Sequence, residues 1–414
     1  MERHRSAVGA YDLAAIRSDF PILDQMVHGK PLAYLDNAAS AQKPHAVIDS
    51  LVALYSHDYA NVHRGLHALS SRATDRYEAA RETVREHLNA PSEREIVFTK
   101  GATEALNLLA ACLGQGILRQ GDEVIITGLE HHSNIVPWQL LRDRMRIVLK
   151  IVPVGDNGDV DPADLRALLT DRTRVVSVAH MSNALGTILP VEEMVADAKA
   201  AGAITILDGC QAVSHMKVDV RALGCDAYVF SGHKVYGPTG IGILWAREDL
   251  LDRLPPYHGG GEMIRSVTFE KSTWADLPAK FEAGTPPIAG AVGLKAALDY
   301  VNGIGMELIA RHEASVFDYA VDCLESIEGV SLIGKARRRA SILSFVMDVA
   351  HPHDIATLVD RQGVAVRAGH HCAQPLMDRF GLPATARASI GLYNSIAEID
   401  QLAEALHRVR RLLA

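Results

Sequence analysis

Two stretches set the architecture: Ala203-Ile-Thr-Ile-Leu-Asp-Gly-Cys-Gln211 and Ala227-Tyr-Val-Phe-Ser-Gly-His-Lys-Val-Tyr-Gly-Pro238. Each opens on a short apolar run and breaks into a polar, glycine-marked turn. A run too short for a helix, and apolar without alternation, reads as a strand buried on both faces. The same unit recurs at Ile96–Thr99, Glu123–Thr127, Ile147–Val152, Arg174–Ala179 and Ile241–Trp245. Helical patterns such as Glu104–Leu113 and Val191–Ala200 lie between them. Strands alternating with helices predict an α/β fold with a large, mostly parallel sheet covered on both faces.

From about Ala296 the pattern changes. A long helix is followed by Ser341–Val349, a helix from Pro352, then Val364–Arg367 and Ala388–Leu392. The chain closes with an amphipathic helix whose start, Ser395-Ile-Ala-Glu398, has capping-box spacing. The expected organisation is a large domain over residues 31–295 and a smaller α+β domain over 296–414. Residues 1–30 are expected to pack on the small domain or at the domain interface. A length of 414 residues accommodates this plan.

Hydrophobic residues make up 48% and charged residues 22%, which excludes a disordered or collagen-like chain. Lys+Arg 42 against Asp+Glu 50 leaves a net charge of −8. That balance provides no general attraction to nucleic acid or to an anionic membrane, although it permits a local basic pocket. The five cysteines, Cys112, Cys210, Cys225, Cys323 and Cys372, are odd in number and widely spaced, with no C-x-x-C pair. They form neither a disulfide framework nor a common zinc signature, and they fit a reducing cytoplasm. Met1–Leu23 lacks the apolar core of a signal peptide, and Leu108–Leu113 is too short to span a bilayer.

The chemistry-bearing residues follow the strands. Gly101-Ala-Thr103, Glu130-His131-His132, Ser182-Asn183, Asp208-Gly-Cys-Gln211 and Ser231-Gly-His233-Lys234 each occupy the turn after a predicted strand. In a doubly wound sheet such turns meet at the carboxyl edge, where ligands bind. Gly101-Ala-Thr103 at a helix start suits a phosphate, although alone it is only a capping signal. Neither G-x-G-x-x-G nor G-x-x-x-x-G-K-[ST] occurs, which argues against a dinucleotide or a P-loop nucleotide. Asp208 ends an apolar strand, where a carboxylate needs a cationic or N–H partner. Lys234, in a glycine-flanked turn, is placed for a Schiff base. A phosphate site, a buried acid and an amine together match pyridoxal 5′-phosphate, whose ring nitrogen would face Asp208 and whose aldehyde would join Lys234. His131 is placed to lie over the ring.

With these residues assembled, the chain resembles the class V aminotransferase-like enzymes that use pyridoxal phosphate, and among them the SUF-type (group II) cysteine desulfurases. The resemblance runs nearly end to end. It is carried by Tyr34-Leu-Asp-Asn-Ala-Ala-Ser40, Asn61-Val-His-Arg-Gly65, Glu130-His-His-Ser-Asn-Ile-Val-Pro-Trp138, Asp208-Gly-Cys-Gln211 and Phe230-Ser-Gly-His-Lys-Val-Tyr-Gly-Pro-Thr-Gly240. Gly259-Gly-Gly261, Phe281-Glu-Ala-Gly-Thr285, Arg367-Ala-Gly-His-His-Cys-Ala373 and Arg387-Ala-Ser-Ile-Gly-Leu-Tyr-Asn394 complete it. It implies the type I fold of pyridoxal-phosphate-dependent transferases. It implies that Lys234 holds the aldehyde and moves protons, that Asp208 pairs with the ring nitrogen, and that Gln211 lies near the ring oxygen. His131 would stack on the ring and relay a proton at the substrate sulfur, and Asn183 would help fix ring and substrate. Thr103, Ser231 and His233 would bind phosphate, joined by Thr285 from the other protomer of a homodimer. Arg387 would grip the substrate carboxylate, and Cys372 would accept sulfur. Ala102 departs from a hydroxyl common in the phosphate loop, and Gln374 stands where methionine is frequent.

Cys372 decides the reaction type. It follows Gly369-His370-His371 on a polar turn flanked by Arg367, where positive charge favours a thiolate. No metal site is expected, because three consecutive residues rarely converge on one ion. The resemblance implies conversion of L-cysteine to L-alanine, with sulfur held on Cys372 as a persulfide. A SufE-like or SufU-like acceptor would then carry it to iron–sulfur cluster assembly. A selenocysteine lyase or other β-eliminating member is the nearest rival. A plain aminotransferase and a non-catalytic acceptor scaffold stand further off.

Overall fold

The computed structural model describes residues 11–413. Seven strands form the large sheet: β1 (Ile96–Thr99), β2 (Glu123–Thr127), β3 (Val148–Val152), β4 (Thr173–Ala179), β5 (Ile204–Asp208), β6 (Ala227–Ser231) and β7 (Gly242–Ala246). Their order is β1-β7-β6-β5-β4-β2-β3. Only β7 runs antiparallel to its neighbours, β1 and β6. The remaining pairings are parallel. Every residue of β1, β2, β6 and β7 is buried, because helices cover both faces. That double burial is why the strands read as unbroken apolar runs. Gly242 is required where β7 starts, since a Cβ there would lie 2.3 Å from the Cα of Gly101.

After an antiparallel hairpin, β8 (Ile264–Val267) and β9 (Ser272–Trp274), two long helices follow, Ile288–Ile304 and Met306–Glu325. The sequence reads as one long helix here. Gly305, at φ 99°, divides it. A four-stranded antiparallel sheet then forms from β10 (Val330–Ile333), β11 (Ile342–Met347), β12 (Arg367–Gly369) and β13 (Thr385–Ser389), in the order β10-β11-β13-β12. The last strand lies three residues before the expected Ala388–Leu392. Gly391 donates to the side chain of Asn394, so the apolar Ile390–Leu392 segment turns instead of pairing. The closing helix Ile396–Leu413 begins with the expected box: Ser395 N–H donates to Glu398 (2.7 Å), and Glu398 N–H to the Ser395 hydroxyl (3.4 Å).

Two packing features bear on the expected division at residues 31 and 296. Ala33 and Leu35 pack in the core of the four-stranded sheet, and Ala33–Tyr34 pairs in parallel with Val364–Ala365. Ile288–Ile304 crosses residue 296 while packing on the large-sheet core. Residues 1–10 of the 1–30 segment lie outside the described residues. The rest bridges the two cores. Arg17 reaches Tyr393 and Glu398 near the C-terminus, and Phe20 meets Tyr236, Tyr300 and Tyr393 edge-on. Among the described residues no helix is long and apolar enough to cross a membrane.

Candidate active site

The turns after β1, β2, β4, β5 and β6 converge at the carboxyl edge of the sheet, as the alternating pattern requires. With Ala38, Ala39 and the β12–β13 segment they enclose a cavity of about 170 Å3. Thr103, His131, Asn183, Asp208, Gln211, Ser231, His233, Lys234, Cys372 and Arg387 all line it. Thr285 does not. It is exposed, beside Gly284, whose N–H donates to Gly261 (2.9 Å). The Gly259–Gly261 loop and Thr285 are therefore held together outside the pocket of their own chain.

At one end, helix Ala102–Gly116 points its N-terminus into the cavity lining, and the Ala102 N–H donates to the Ser231 hydroxyl (2.9 Å). The positive end of the helix dipole, two hydroxyls and His233 make this end suited to an anion. Burial, Lys234 and Lys43 push His233 down to about 4, and either ring form can offer an N–H. In the middle, Asp208 is 6% exposed and accepts from the Cys210 N–H (3.0 Å). Among the described residues no cationic side chain pairs with it within 4 Å. Gln211 is anchored by donation to the Ala38 carbonyl (2.9 Å). Lys234 is half-buried on the turn after β6.

His131 faces these groups from the turn after β2. Burial and the nearby Lys234 push it down to about 4, against the opposing pull of Asp208. The Ser133 N–H donates to its Nδ1 (3.1 Å), so the single ring proton sits on Nε2. Behind it, Glu130 is buried beneath donors from Thr127, Asn134 and Ala179.

Arg387 and Cys372 close the other end. Arg387 is 2% exposed, with Nη1 on the Asn183 carbonyl (2.8 Å) and Nη2 on Asp36 (3.2 Å). Its Nε is buried without a partner. Desolvation pushes it down to about 10, which leaves it charged at neutral pH. Arg367, which also lines the cavity, shares Asp36 (3.3 Å). Asn183 spends its Nδ2 on the His371 carbonyl (2.6 Å), leaving its Oδ1 for the pocket. Cys372 is exposed, at φ 56°. His371 is buried against Thr385, and burial together with Arg387 pushes it down to about 3. The other four cysteines lie away from the turn that carries Cys372. Cys210 lines the cavity, where burial beside Asp208 pushes its thiol up to about 12.

The sequence reading assigned no role to Asp36, Met181 or Ser133, which also shape the site. Asp36 and Ser133 lie within quoted motifs, yet nothing in spacing alone shows that Asp36 would sit between two arginines.

The residues fit pyridoxal 5′-phosphate on the structure's own terms. A buried carboxylate without a cation, an anion-suited helix end and an amine share one cavity, which is also lined by a buried guanidinium with one N–H unpartnered. Comparison with known proteins agrees. The family model described as Aminotransferase class-V matches residues 33–402. A cysteine desulfurase of Pectobacterium atrosepticum is 48% identical over 405 residues, covering 98% of this chain and 99% of that one. The crystal structure of an Escherichia coli cysteine desulfurase, in an S-sulfonic acid form, is 37% identical with a TM-score of 0.90, covering 98% of this chain and 100% of that one. The apo cysteine desulfurase of Thermococcus onnurineus is 37% identical with a TM-score of 0.93, covering 99% and 100%. The chain belongs to the class-V aminotransferase family and has its pyridoxal-phosphate-dependent transferase fold. Within the family it stands among the cysteine desulfurases, and it is an enzyme.

Proposed function

We propose that this enzyme takes L-cysteine to L-alanine and moves the sulfur onto Cys372. The observation that carries the reading is the opposition, across one cavity, of Lys234 with Asp208 and the exposed thiol of Cys372 beside Arg387. Pyridoxal 5′-phosphate, when bound, supplies an aldehyde for an amine and a ring that withdraws electrons from the adjoining carbon.

The side chains divide the remaining work. Thr103, Ser231, His233 and the helix N-terminus would hold the phosphate, while Asp208 would keep the ring nitrogen protonated and Gln211 would face the ring oxygen. Lys234 would hold the aldehyde, and its amine would carry the substrate α-proton. Arg387 takes the substrate carboxylate through its free Nε edge. Asn183 presents Oδ1 to ring and substrate. His131, neutral and protonated on Nε2, is poised to donate at the substrate sulfur. The Cys372 thiolate attacks that sulfur. The sulfur–sulfur bond forms as the carbon–sulfur bond breaks, its electron pair staying with carbon; the β-carbon takes up one proton and the α-carbon regains the one it lost, which leaves alanine. In sum, L-cysteine and a thiol become L-alanine and a persulfide.

The persulfide sulfur is passed to a protein acceptor of the SufE or SufU type, for iron–sulfur cluster assembly in the cytoplasm. The exposure of Cys372 at the cavity edge supports a partner that comes to the pocket. A homodimer is part of this reading. Thr285 and the Gly259–Gly261 loop sit outside their own pocket, and Tyr55, Tyr59, Leu66, Val267 and Phe269 expose apolar surface.

The test is alanine and sulfide release from L-cysteine by the holoenzyme and by Cys372→Ala. The variant should keep the cofactor absorbance and lose turnover on the order of a thousandfold. Full retained turnover would remove the persulfide step. Activity of the same variant on selenocysteine separates the lyase reading, since selenium loss does not need the thiol.

A further inference from the structure

Two consecutive residues of the nucleophile turn, His371 and Cys372, lie in the left-handed region at φ 54° and 56°. Neither is glycine, and side-chain-bearing residues hold that conformation only where their surroundings enforce it. The enforcing contacts come from across the cavity. Asn183 Nδ2 donates to the His371 carbonyl (2.6 Å), and the backbone N–H of His132 donates to the Cys372 carbonyl (2.7 Å). A further contact belongs to a side chain: the Gln374 N–H donates to His132 Nε2 (3.1 Å).

Gln374 opens the short helix Gln374–Arg379. The residue before it, Ala373, offers no capping side chain, and Pro375 has no N–H. The His132 ring therefore supplies, from the turn after β2, the acceptor that this helix start lacks locally. An accepting Nε2 requires a neutral ring protonated on Nδ1. Burial and the neighbouring His370 hold His132 below the usual histidine range, which keeps it neutral. His132 does not line the cavity, so cofactor and substrate do not need it for contact.

We propose that His132 is a positioning residue: by capping the helix after Cys372 it keeps the strained His371–Cys372 turn aimed into the pocket. The proposal rests on Cys372 being the sulfur acceptor. It deepens that reading by naming what holds the thiol in place.

Holoenzyme variants His132→Ala, His132→Gln and His132→Asn test it. Glutamine carries its carbonyl oxygen about as far out as Nε2, whereas the asparagine oxygen matches Nδ1 and falls short. Alanine and asparagine should speed deuterium exchange in the 370–379 segment on the order of tenfold, the effect of one lost hydrogen bond. The same two should lower kcat for alanine formation by a similar factor, with KM for L-cysteine unchanged. Glutamine should restore both. Wild-type exchange and kcat in His132→Ala would overturn the proposal, as would a glutamine variant no better than alanine. If His132→Ala does not fold, the glutamine–asparagine pair decides alone. A wild-type enzyme that makes no alanine from L-cysteine would defeat the desulfurase reading instead, and the exchange measurement would still judge the cap.

Discussion

Replacing Arg387 with lysine separates a carboxylate clamp from a positive charge. Arg387 gives one Nη to the Asn183 carbonyl and the other to Asp36, and its Nε is buried and partnerless. A substrate carboxylate lying along the Nε edge takes two parallel N–H bonds, one from Nε and one from the remaining hydrogen of an Nη. Lysine keeps the charge but offers a single point of attachment. Loss of one charge-assisted hydrogen bond costs about 1.5–3 kcal/mol, or roughly 10- to 150-fold in kcat/KM. The carboxylate does not change charge during the reaction, so the loss should fall mainly on KM. Asp36 retains Arg367 as a partner, which limits collateral damage. The assay is initial-rate alanine formation from L-cysteine, with cysteamine as control. Cysteamine lacks the carboxylate, so its effect on the cofactor absorbance should have the same concentration dependence in both proteins. A kcat/KM for L-cysteine unchanged in Arg387→Lys, or an equal loss with both compounds, would refute the clamp.

Two further perturbations act on the scaffold. Ser231→Ala removes the acceptor of the Ala102 N–H at the anion end. It should lower stability by about 1 kcal/mol and Tm by roughly 1 °C, and weaken retention of pyridoxal phosphate on gel filtration. An unchanged Tm and retention would show that this hydroxyl holds nothing. His180 is buried against Tyr228 and pushed down by burial to about 4. A depressed folded-state pKa means that the unfolded chain binds the proton first. The neutral ring's contribution is therefore present above pH 6.5 and is lost as pH falls toward 4. The loss is on the order of 3 kcal/mol. The Tm of His180→Gln should fall less steeply than wild type across that window, and parallel curves would contradict the assignment.

Much of the site is legible in the sequence because a doubly wound sheet converts chain order into place. Once Asp208 and Lys234 each follow a buried strand, their convergence needs no knowledge of loop detail. The same logic carried Thr103, His131 and Asn183 to the cavity. What stayed hidden depends on individual backbone torsions and distant pairings. Gly305 splits a helical pattern that is apolar on both sides of it, and periodicity does not register a single positive φ. Strand β13 begins at Thr385, hidden from an apolar reading because its alternate residues Thr385, Arg387 and Ser389 are polar although buried. Asp36 finds its arginines across more than 300 residues of chain, and no local pattern encodes that meeting.

If Cys372 and Arg387 act as proposed, the placement of those arginines also explains why the nucleophile comes from the second sheet. Arg367 and Arg387 stand opposite each other in the β12–β13 pair, and Cys372 follows β12 directly. The carboxylate grip and the thiol therefore belong to one hydrogen-bonded unit, whereas Lys234 and Asp208 belong to the other sheet. On the proposed roles, the spacing between a bound carboxylate and the attacking sulfur is set within β12–β13. What must be fixed across the gap is the approach of that unit to the cofactor end. Of the bonds that span it, Arg387 to the Asn183 carbonyl, Asn183 to the His371 carbonyl and His132 to the Cys372 and Gln374 backbone lie at or beside the turn that carries Cys372, while Ser344 to the Ala184 carbonyl and Arg379 to the Val154 carbonyl span it elsewhere. The proposed reaction needs the thiol placed to within fractions of an ångström, and the bonds at this turn restrain its backbone while leaving the Cys372 side chain exposed.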